Sequence, residues 1–280
     1  MDTNIALQRI SYKFFILLCA AFLLLFCGLP LLWMVLTATK PLGEIFSYPP
    51  RIIAHYTLSN FYRLFTDTDF LIYLRNSVFV AGMTVLLDIV VATLGAYSLT
   101  RYRFRGKELL ANLTLFTYMF APIMIIIPVY MLLKDANLVD SHLGIILAYT
   151  SISLPFTLWL LRAFFQSFPM ELEEAAFIDG ASRFQSLIYV VIPQALPGII
   201  ATSVFAFVVV WNDFLFARVL LSAPALKTMP VGLQDLYEST IVDWGLLMSG
   251  AVVVTIPALI FFLIVQRFLI QGWGMGAVKG

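Results

Sequence analysis

The residues EEAAFIDGA, from Glu173 to Ala181, form an acidic, alanine-rich segment in a chain that is otherwise mostly apolar. The segment lies between the fourth and fifth long apolar stretches, and Ile192 and Pro193 close it. Alanine and glycine leave room for another surface to approach closely, and a glycine commonly ends a short helix. The pattern therefore predicts a short, exposed helix between two membrane spans, shaped for contact with another protein.

The composition is that of a membrane protein. Of 280 residues, 61% are hydrophobic and 12% charged, and the mean hydropathy is +0.95, whereas about a quarter of the residues in soluble domains are charged. The formal net charge of +1 gives no reason to expect a nucleic-acid partner. Cys19 and Cys27 lie eight residues apart in one apolar stretch, roughly 12 Å along a helix axis, too far for a disulfide.

Six stretches are long and apolar enough to cross a bilayer, which takes about 20 helical residues each. They cover about 14–37, 77–99, 113–133, 143–164, 197–216 and 246–265. These stretches predict an all-α polytopic membrane protein with six transmembrane helices, in which residues 14–270 form the membrane domain between an N-terminal segment (1–13) and a C-terminal tail (271–280). The first stretch is too long for a signal peptide core and lacks a cleavage site, which favours an uncleaved anchor.

Basic residues in short connections predict the orientation. The connection from Arg101 to Lys107, RYRFRGK, contains four cations in seven residues, which places it in the cytoplasm. With six spans, the loop 167–197 and both termini then share the cytoplasmic side. Prolines within the spans predict kinks, and Pro193 and Pro197 predict a break before the fifth span.

The loop 167–197 has the local signals of two short helices. Ser167 is expected to cap the first helix, and Leu172, Ala175 and Ala176 to form its small apolar face. Gly180 is expected to end the first helix, and Asp179 or Ser182 to cap the second. One interpretation is an amphipathic hairpin lying on the membrane surface. Because interfacial helices usually carry cations whereas this one is acidic, a protein partner is favoured.

Several further stretches accompany the EEAAFIDGA segment. They are GAYSLTRYRFRGK (95–107), SLPF (153–156), LRAFF (161–165), the segment from Pro169 to Ala176, WNDFLFA (211–217), QRF (266–268) and GAVKG (276–280). Together they resemble permease subunits of binding-protein-dependent carbohydrate ABC importers of the maltose type, and in particular the shorter, six-span partner. Trp273, which precedes the terminal GAVKG, departs from the pattern of that family.

The resemblance implies a type I ABC importer permease fold with cytoplasmic coupling helices. It implies that the 167–197 loop docks on an ATPase through Glu173, Glu174, Ala175, Ala176, Asp179, Gly180 and Ala181. It also implies that the tail reaches the interface between two ATPase subunits through Gly276, Ala277, Val278, Lys279 and Gly280. Without the resemblance, a glycine-rich terminus would be expected to fray.

The chain has no ATP-binding motif, since Gly106 and Lys107 lack the upstream glycine of a phosphate loop. ATP hydrolysis is therefore expected on another polypeptide. The resemblance implies a heterodimer of two permeases with two ATPase subunits that bind ATP and Mg, and an extracytoplasmic binding protein that delivers a sugar or sugar-like solute. The complex would lie in a bacterial or archaeal cytoplasmic (inner) membrane. His55 and His142 fall in different outer loops, and we expect no metal site and no cofactor on this chain.

Polar and aromatic residues within the spans are candidates for the substrate pathway. They are Asp88, Asn212, Asp213, Trp211, Tyr118 and Tyr130. Buried carboxylates in membranes usually face protein or water, so Asp88 and Asp213 either line the pathway or hold helices together. The aromatic rings either stack on sugar or belong to packing and interfacial belts.

Two other classes of membrane protein compete with the importer hypothesis. A secondary transporter typically shows internal repeats and several coupling carboxylates within the membrane, and no repeat is evident here. A membrane enzyme would need a clustered nucleophile or a set of metal ligands, which the sequence lacks.

Overall fold

The computed structural model describes residues 2–48 and 55–276. The chain divides into two compact units, one formed by residues 1–69 and 233–253 and the other by residues 70–232 and 254–280. In chain order the helices are α1 (Asp2–Ala38), α2 (Leu42–Ile45), α3 (Ser59–Thr66), α4 (Phe70–Arg101), α5 (Lys107–Tyr118), α6 (Pro122–Asp135), α7 (His142–Ser167), α8 (Glu171–Ile178), α9 (Arg183–Ser186), a π-helical turn (Leu187–Val191), α10 (Ile192–Trp211), α11 (Leu215–Leu220), a 3₁₀ turn (Pro224–Leu226), α12 (Met229–Tyr237) and α13 (Trp244–Gly276).

Five helical stretches among the described residues have the length and apolarity to cross a membrane, and a sixth crossing results if α5 and α6 are taken as one span. These two helices meet at a bend of 103°. The bend falls within the stretch 113–133, which was expected as one span. Proline at the first position of α6 explains the new helix start, because its fixed φ suits that position and its missing N–H is not needed there.

The expected break before the fifth span is wrong. Pro193 lies in the first turn of α10 and Pro197 inside it, and the helix is continuous from Arg183 to Trp211. The π-helical turn at Leu187–Val191 comes directly before α10, which contains Pro193. The chain stays helical through this wider turn. At its other end the helix stops at Trp211, whereas the stretch 197–216 was expected to continue to Phe216.

The second unit is built on α4, α7 and α10, which pack closely because small residues stand at their contacts. Its core contains Ala92, Ala96, Tyr97, Leu161, Phe165, Leu187, Val191, Ala195 and Ile199. A Cβ atom at Gly198 would lie 2.4 Å from the Phe164 ring, so this contact requires glycine. Small residues bring membrane helices together because packing, rather than the hydrophobic effect, drives their association. This core supports α8.

The first unit is held together by polar contacts at the ends of its helices. The Asn60 amide donates to the carbonyl oxygens of Ala38 (2.9 Å) and Lys40 (2.8 Å), which closes the end of α1. Asp243 accepts the backbone N–H groups of Gly245 and Leu246 at the start of α13 and pairs with the Arg63 guanidinium at 2.9 Å. Among the described residues, the most apolar window of α1 contains no buried residue.

Candidate functional site

The segment that carries α8 begins where α7 ends. Ser167 belongs to the last turn of α7, and its hydroxyl donates to the Phe164 carbonyl at 2.7 Å, so the prediction that it caps the next helix is wrong. Phe168 is extended, and α8 begins three residues later at Glu171. Three glutamates occupy the first turn of α8, where the helix dipole favours negative charge.

Gly180 ends α8 in a Schellman motif. Its φ of +86° lies in the left-handed region, its N–H donates to the Phe177 carbonyl at 3.1 Å, and the Ala181 N–H donates to the Ala176 carbonyl at 2.9 Å. These two bonds satisfy carbonyls that the helix end would otherwise leave free. The helix-ending role predicted for Gly180 is thus present, and its cause is backbone conformation, because a Cβ there would meet nothing within 4 Å.

Ser182 begins the next helix through a capping box. Its hydroxyl accepts from the Gln185 N–H at 3.3 Å, while the Gln185 side chain accepts from the Ser182 N–H at 2.8 Å. The two bonds satisfy donors that a helix start leaves free. Of the two caps considered from the sequence, Ser182 is therefore the one that forms, and α8 and α9 are joined by a short, defined corner.

The two faces of α8 have different surroundings. Glu174, Ala175 and Ile178 are exposed, at spacings that place them on one side of the helix with Glu171. Ile178 is 87% exposed, an unusual position for an isoleucine on a helix outside the spans. Glu173 is on the other side and is only 2% exposed. Of the residues expected to contact an ATPase together, Glu174 and Ala175 therefore face outward, whereas Glu173 faces the protein interior.

The Glu173 carboxylate contacts the end of α4. One oxygen pairs with the Arg101 guanidinium, and the other accepts from the Tyr97 hydroxyl at 3.0 Å. Both charged side chains are buried. A second guanidinium nitrogen of Arg101 lies 3.4 Å from the Phe168 carbonyl. A buried carboxylate requires such compensation, since desolvating an unpaired charge is costly.

Arg183 provides a second connection around α8. Its guanidinium lies 5.2 Å from the ring centroid of Tyr102 and 5.4 Å from that of Phe177, distances typical of cation–π contacts. Tyr102 also meets Tyr97 edge to face, with 6.1 Å between ring centroids. The cation thus joins α8, the start of α9 and the connection that follows α4.

A further ion pair fixes the connection between α4 and α5. One guanidinium nitrogen of Arg162, on α7, donates to both carboxylate oxygens of Glu108 at 2.7 and 2.6 Å. Glu108 stands in the first turn of α5, after Gly106 at φ +86°. The basic connection 101–107 is therefore anchored at both ends, by Arg101 to α8 and by Glu108 to α7.

The contacts of Tyr97, Arg101 and Arg183 with α8 were not predicted from the sequence. In the sequence, Arg101 is one of four cations that predict topology, and Tyr97 and Arg101 both lie in the stretch 95–107 that resembles the importer permeases. The available signal was Tyr97 four residues before Arg101, which places both on one face at the end of a helix.

The candidate pathway residues each have contacts within the protein. Asp88 is fully buried, and Ser153 donates to one of its oxygens, which links α4 to α7. Trp211 is 2% exposed, its indole N–H donates to the Val254 carbonyl at 3.0 Å, and its ring stacks on Phe207 at 5.1 Å. Asp88 thus contacts α7 and Trp211 contacts α13, as expected for residues that hold helices together.

Asp213 is a helix cap. Its Oδ1 accepts from the N–H groups of Phe216 (2.9 Å) and Ala217 (3.4 Å) and from the Tyr149 hydroxyl (3.0 Å). The neighbouring Asn212 is exposed, and its amide donates to the Val208 carbonyl at 2.8 Å. Of the two roles considered for Asp213, the structural one thus has observed contacts.

Tyr118 lies in an aromatic cluster next to the bend between α5 and α6. Its ring is 5.2 Å from Phe156 and 6.2 Å from Phe205, and Phe156 also contacts Trp159 at 6.0 Å. Tyr118 and Trp159 are each 39% exposed. Tyr130 is half-buried on α6, away from the bend. Within the described residues, Tyr118 is the predicted pathway aromatic whose ring remains accessible beside other rings.

The predicted tail lies almost entirely beyond the described residues. Gly276 is the last residue of α13, and Ala277, Val278, Lys279 and Gly280 lie outside the described part of the chain. In the part of the chain that the structure describes, there is no group of three or more histidine, cysteine, aspartate or glutamate residues placed to hold a metal ion.

Known proteins are similar to this chain in sequence and in fold. Residues 88–274 match the family described as binding-protein-dependent transport system inner membrane component. The permease protein SmoH of the sulfoquinovosyl glycerol transport system of Agrobacterium fabrum is 35% identical, over 93% of this chain and 92% of SmoH. The permease protein DasC of the diacetylchitobiose uptake system of Streptomyces coelicolor is 34% identical, over 91% of this chain and 94% of DasC. The crystal structure of a bacterial ABC transporter involved in the import of the acidic polysaccharide alginate matches with a TM-score of 0.81 at 25% identity, over 92% of this chain and 96% of that one.

Proposed function

Since this chain belongs to the family of inner membrane components of binding-protein-dependent transport systems, we propose that its cargo is a carbohydrate or carbohydrate-like solute. The chain is a multi-pass membrane protein and a permease subunit of an ATP-driven importer, in which separate subunits hydrolyse ATP. SmoH, DasC and the alginate transporter are named for sulfoquinovosyl glycerol, diacetylchitobiose and the acidic polysaccharide alginate. This range supports the carbohydrate class and leaves the individual sugar open.

The outward face of α8 supports docking onto an ATPase subunit. An acidic helix with the exposed Ile178 beside Glu174 and Ala175 is poorly suited to anionic lipid and well suited to a protein partner. Gly180 and the Ser182 capping box hold the corner of the loop in a defined shape. Such a preformed surface loses little conformational entropy when a partner binds.

The assembly we propose contains a second permease subunit, two ATPase subunits that bind ATP and Mg, and an extracytoplasmic binding protein. This chain would supply half of the translocation pathway. The connection 101–107, the loop with α8, and both termini would face the cytoplasm, which the four cations of residues 101–107 support. We also propose that the tail from Gly276 to Gly280 enters the interface between the ATPase subunits.

Co-purification tests the docking proposal. Glu174→Lys reverses an exposed charge on α8 and is expected to reduce the ATPase subunits recovered with the permease at least tenfold, about 1.4 kcal/mol of binding. Asp135→Lys, at the end of α6, is the matched control, because it makes the same charge change on a connection expected on the opposite side. Recovery of the ATPase at the wild-type ratio with Glu174→Lys would contradict docking through this face.

ATPase stimulation tests the cargo class. The complete complex, reconstituted with its binding protein, would be supplied in turn with neutral disaccharides, acidic oligosaccharides and, as controls, single amino acids. Stimulation confined to members of the sugar panel is the expected result. Stimulation by an amino acid and by none of the sugars would refute the proposal.

A further inference from the structure

The two neighbouring glutamates of α8 have different tasks. Glu174 is exposed on the outward face, while Glu173 points into the protein and is almost completely buried. Adjacent helix positions are separated by about 100° around the axis, so the two carboxylates cannot serve one surface. The inward carboxylate therefore needs an explanation of its own.

Both oxygens of Glu173 are engaged by the last two turns of α4. The Arg101 guanidinium pairs with one oxygen, and the Tyr97 hydroxyl donates to the other at 3.0 Å. Tyr97 also belongs to the packed core of α4, α7 and α10. The carboxylate thus connects an otherwise exposed helix to the membrane bundle through charge-assisted hydrogen bonds, which are stronger than neutral ones.

The covalent attachment of α8 to α7 is short and lacks helical structure. Phe168 is extended, and Met170 directly precedes the helix. The Phe168 carbonyl lies within reach of the same Arg101 guanidinium at 3.4 Å. Arg101 therefore holds both the linker and the helix.

We propose that Glu173, Arg101 and Tyr97 form a rigid joint that keeps α8 fixed to the end of α4, so that a displacement of α8 becomes a displacement of the membrane bundle. This inference rests on the proposed docking of α8 onto an ATPase. Glu173 is then a positioning residue, and Glu174 the contact residue. The Arg183 guanidinium between Tyr102 and Phe177 reinforces the joint at the opposite end of α8.

Distances between spin labels test the joint in the complete complex with its ATPase subunits. The labels would occupy the exposed positions Leu94 on α4 and Leu172 on α8, in a chain whose two native cysteines are replaced. The probe is Mg-ATP with orthovanadate, compared with the nucleotide-free complex. In the otherwise wild-type chain, the joint predicts the same narrow distance distribution in both states.

Glu173→Gln is expected to retain the ATPase subunits and to broaden or shift that distribution. The double variant Arg101→Glu with Glu173→Arg, which restores opposite charges, should recover part of the narrow distribution. A Glu173→Gln complex with bound ATPase and the wild-type distribution in both states would overturn the joint. Glu174→Lys tests docking alone, so retention of the ATPase by that variant would contradict the proposed docking. The distance measurement on Glu173→Gln could still be interpreted in that case.

If Glu173→Gln does not accumulate in the membrane, two milder variants decide the question. Tyr97→Phe removes one hydrogen bond and no charge, and Arg183→Gln alters an exposed side chain. Broadening in either variant supports the joint, and wild-type distributions in both overturn it.

Discussion

Replacing Gly180 by alanine is expected to loosen the end of α8 without creating a clash. The φ of +86° disfavours any residue with a Cβ, while the space around that Cβ is open for 4 Å. The penalty is therefore purely conformational, about 1–2 kcal/mol, which corresponds to roughly a 5- to 30-fold increase in the population of the opened helix end. Asparagine tolerates the left-handed region far better, so Gly180→Asn should be nearly neutral although its side chain is larger.

Hydrogen exchange at the Ala181 amide measures this opening directly. That N–H donates to the Ala176 carbonyl at 2.9 Å and becomes free when the Schellman motif opens. Because this amide exchanges from the opened state, its exchange should be about 5- to 30-fold faster in Gly180→Ala. In Gly180→Asn it should stay close to the wild-type rate. Equal acceleration in both variants would refute a conformational role. Loss of the ATPase from Gly180→Asn with normal exchange would instead indicate a steric requirement of the docked partner.

Three further outcomes can be measured on the same chain. Asp213→Ala should lower thermal stability in detergent by about 1 kcal/mol through loss of a helix cap, whereas Asp213→Asn, which keeps an acceptor oxygen, should not; equal losses would contradict the capping role. Glu108→Gln should destabilise the chain by about 1 kcal/mol or less, because the Glu108 side chain is 63% exposed. It should still destabilise the chain more than Arg162→Met does, because only Glu108→Gln leaves a buried charge, that of Arg162, without its partner. The reverse order in thermal melts would contradict this ranking. In a chain without native cysteines, an impermeant maleimide applied outside should label Ser222→Cys and not Ser182→Cys, and external labelling of Ser182→Cys would overturn the proposed orientation.

The fold was predictable because its main determinant is the length of the apolar stretches. Six such stretches predict an all-α multi-pass protein, and the helices and the match to an importer structure confirm that fold. The interruptions were less predictable. Pro193 and Pro197 suggest a break, yet a π-helical turn lets the helix continue, and the sharpest bend falls just before Pro122. Whether a proline bends, starts or merely occupies a helix depends on neighbouring turns that the pattern of residue types does not specify.

The site was predictable in outline and not in the direction of its side chains. The spacing of the 173–181 segment predicts a helix ended by Gly180, and that helix is present. It does not reveal that Glu173 turns inward, because its partners Tyr97 and Arg101 lie more than 70 positions earlier and meet it only through the packing of α4 against α7. The sequence could not decide between the two roles of Asp213 for a similar reason. Its carboxylate can cap the start of α11 only because α10 ends at Trp211.

The π-helical turn from Leu187 to Val191 changes which face of one long helix points towards the bundle. It holds one residue more per turn than its surroundings, so the faces on its two sides are offset by about 100° relative to a regular helix. Leu187, Val191, Ala195 and Ile199 lie four residues apart and all contribute to one core, a spacing that would drift around a regular helix. A variant that lacked one of these five residues would keep an unbroken helix, yet the part that begins at Arg183 would be turned away from the bundle. The number of residues from Leu187 to Val191 therefore sets which face of the helix meets the bundle.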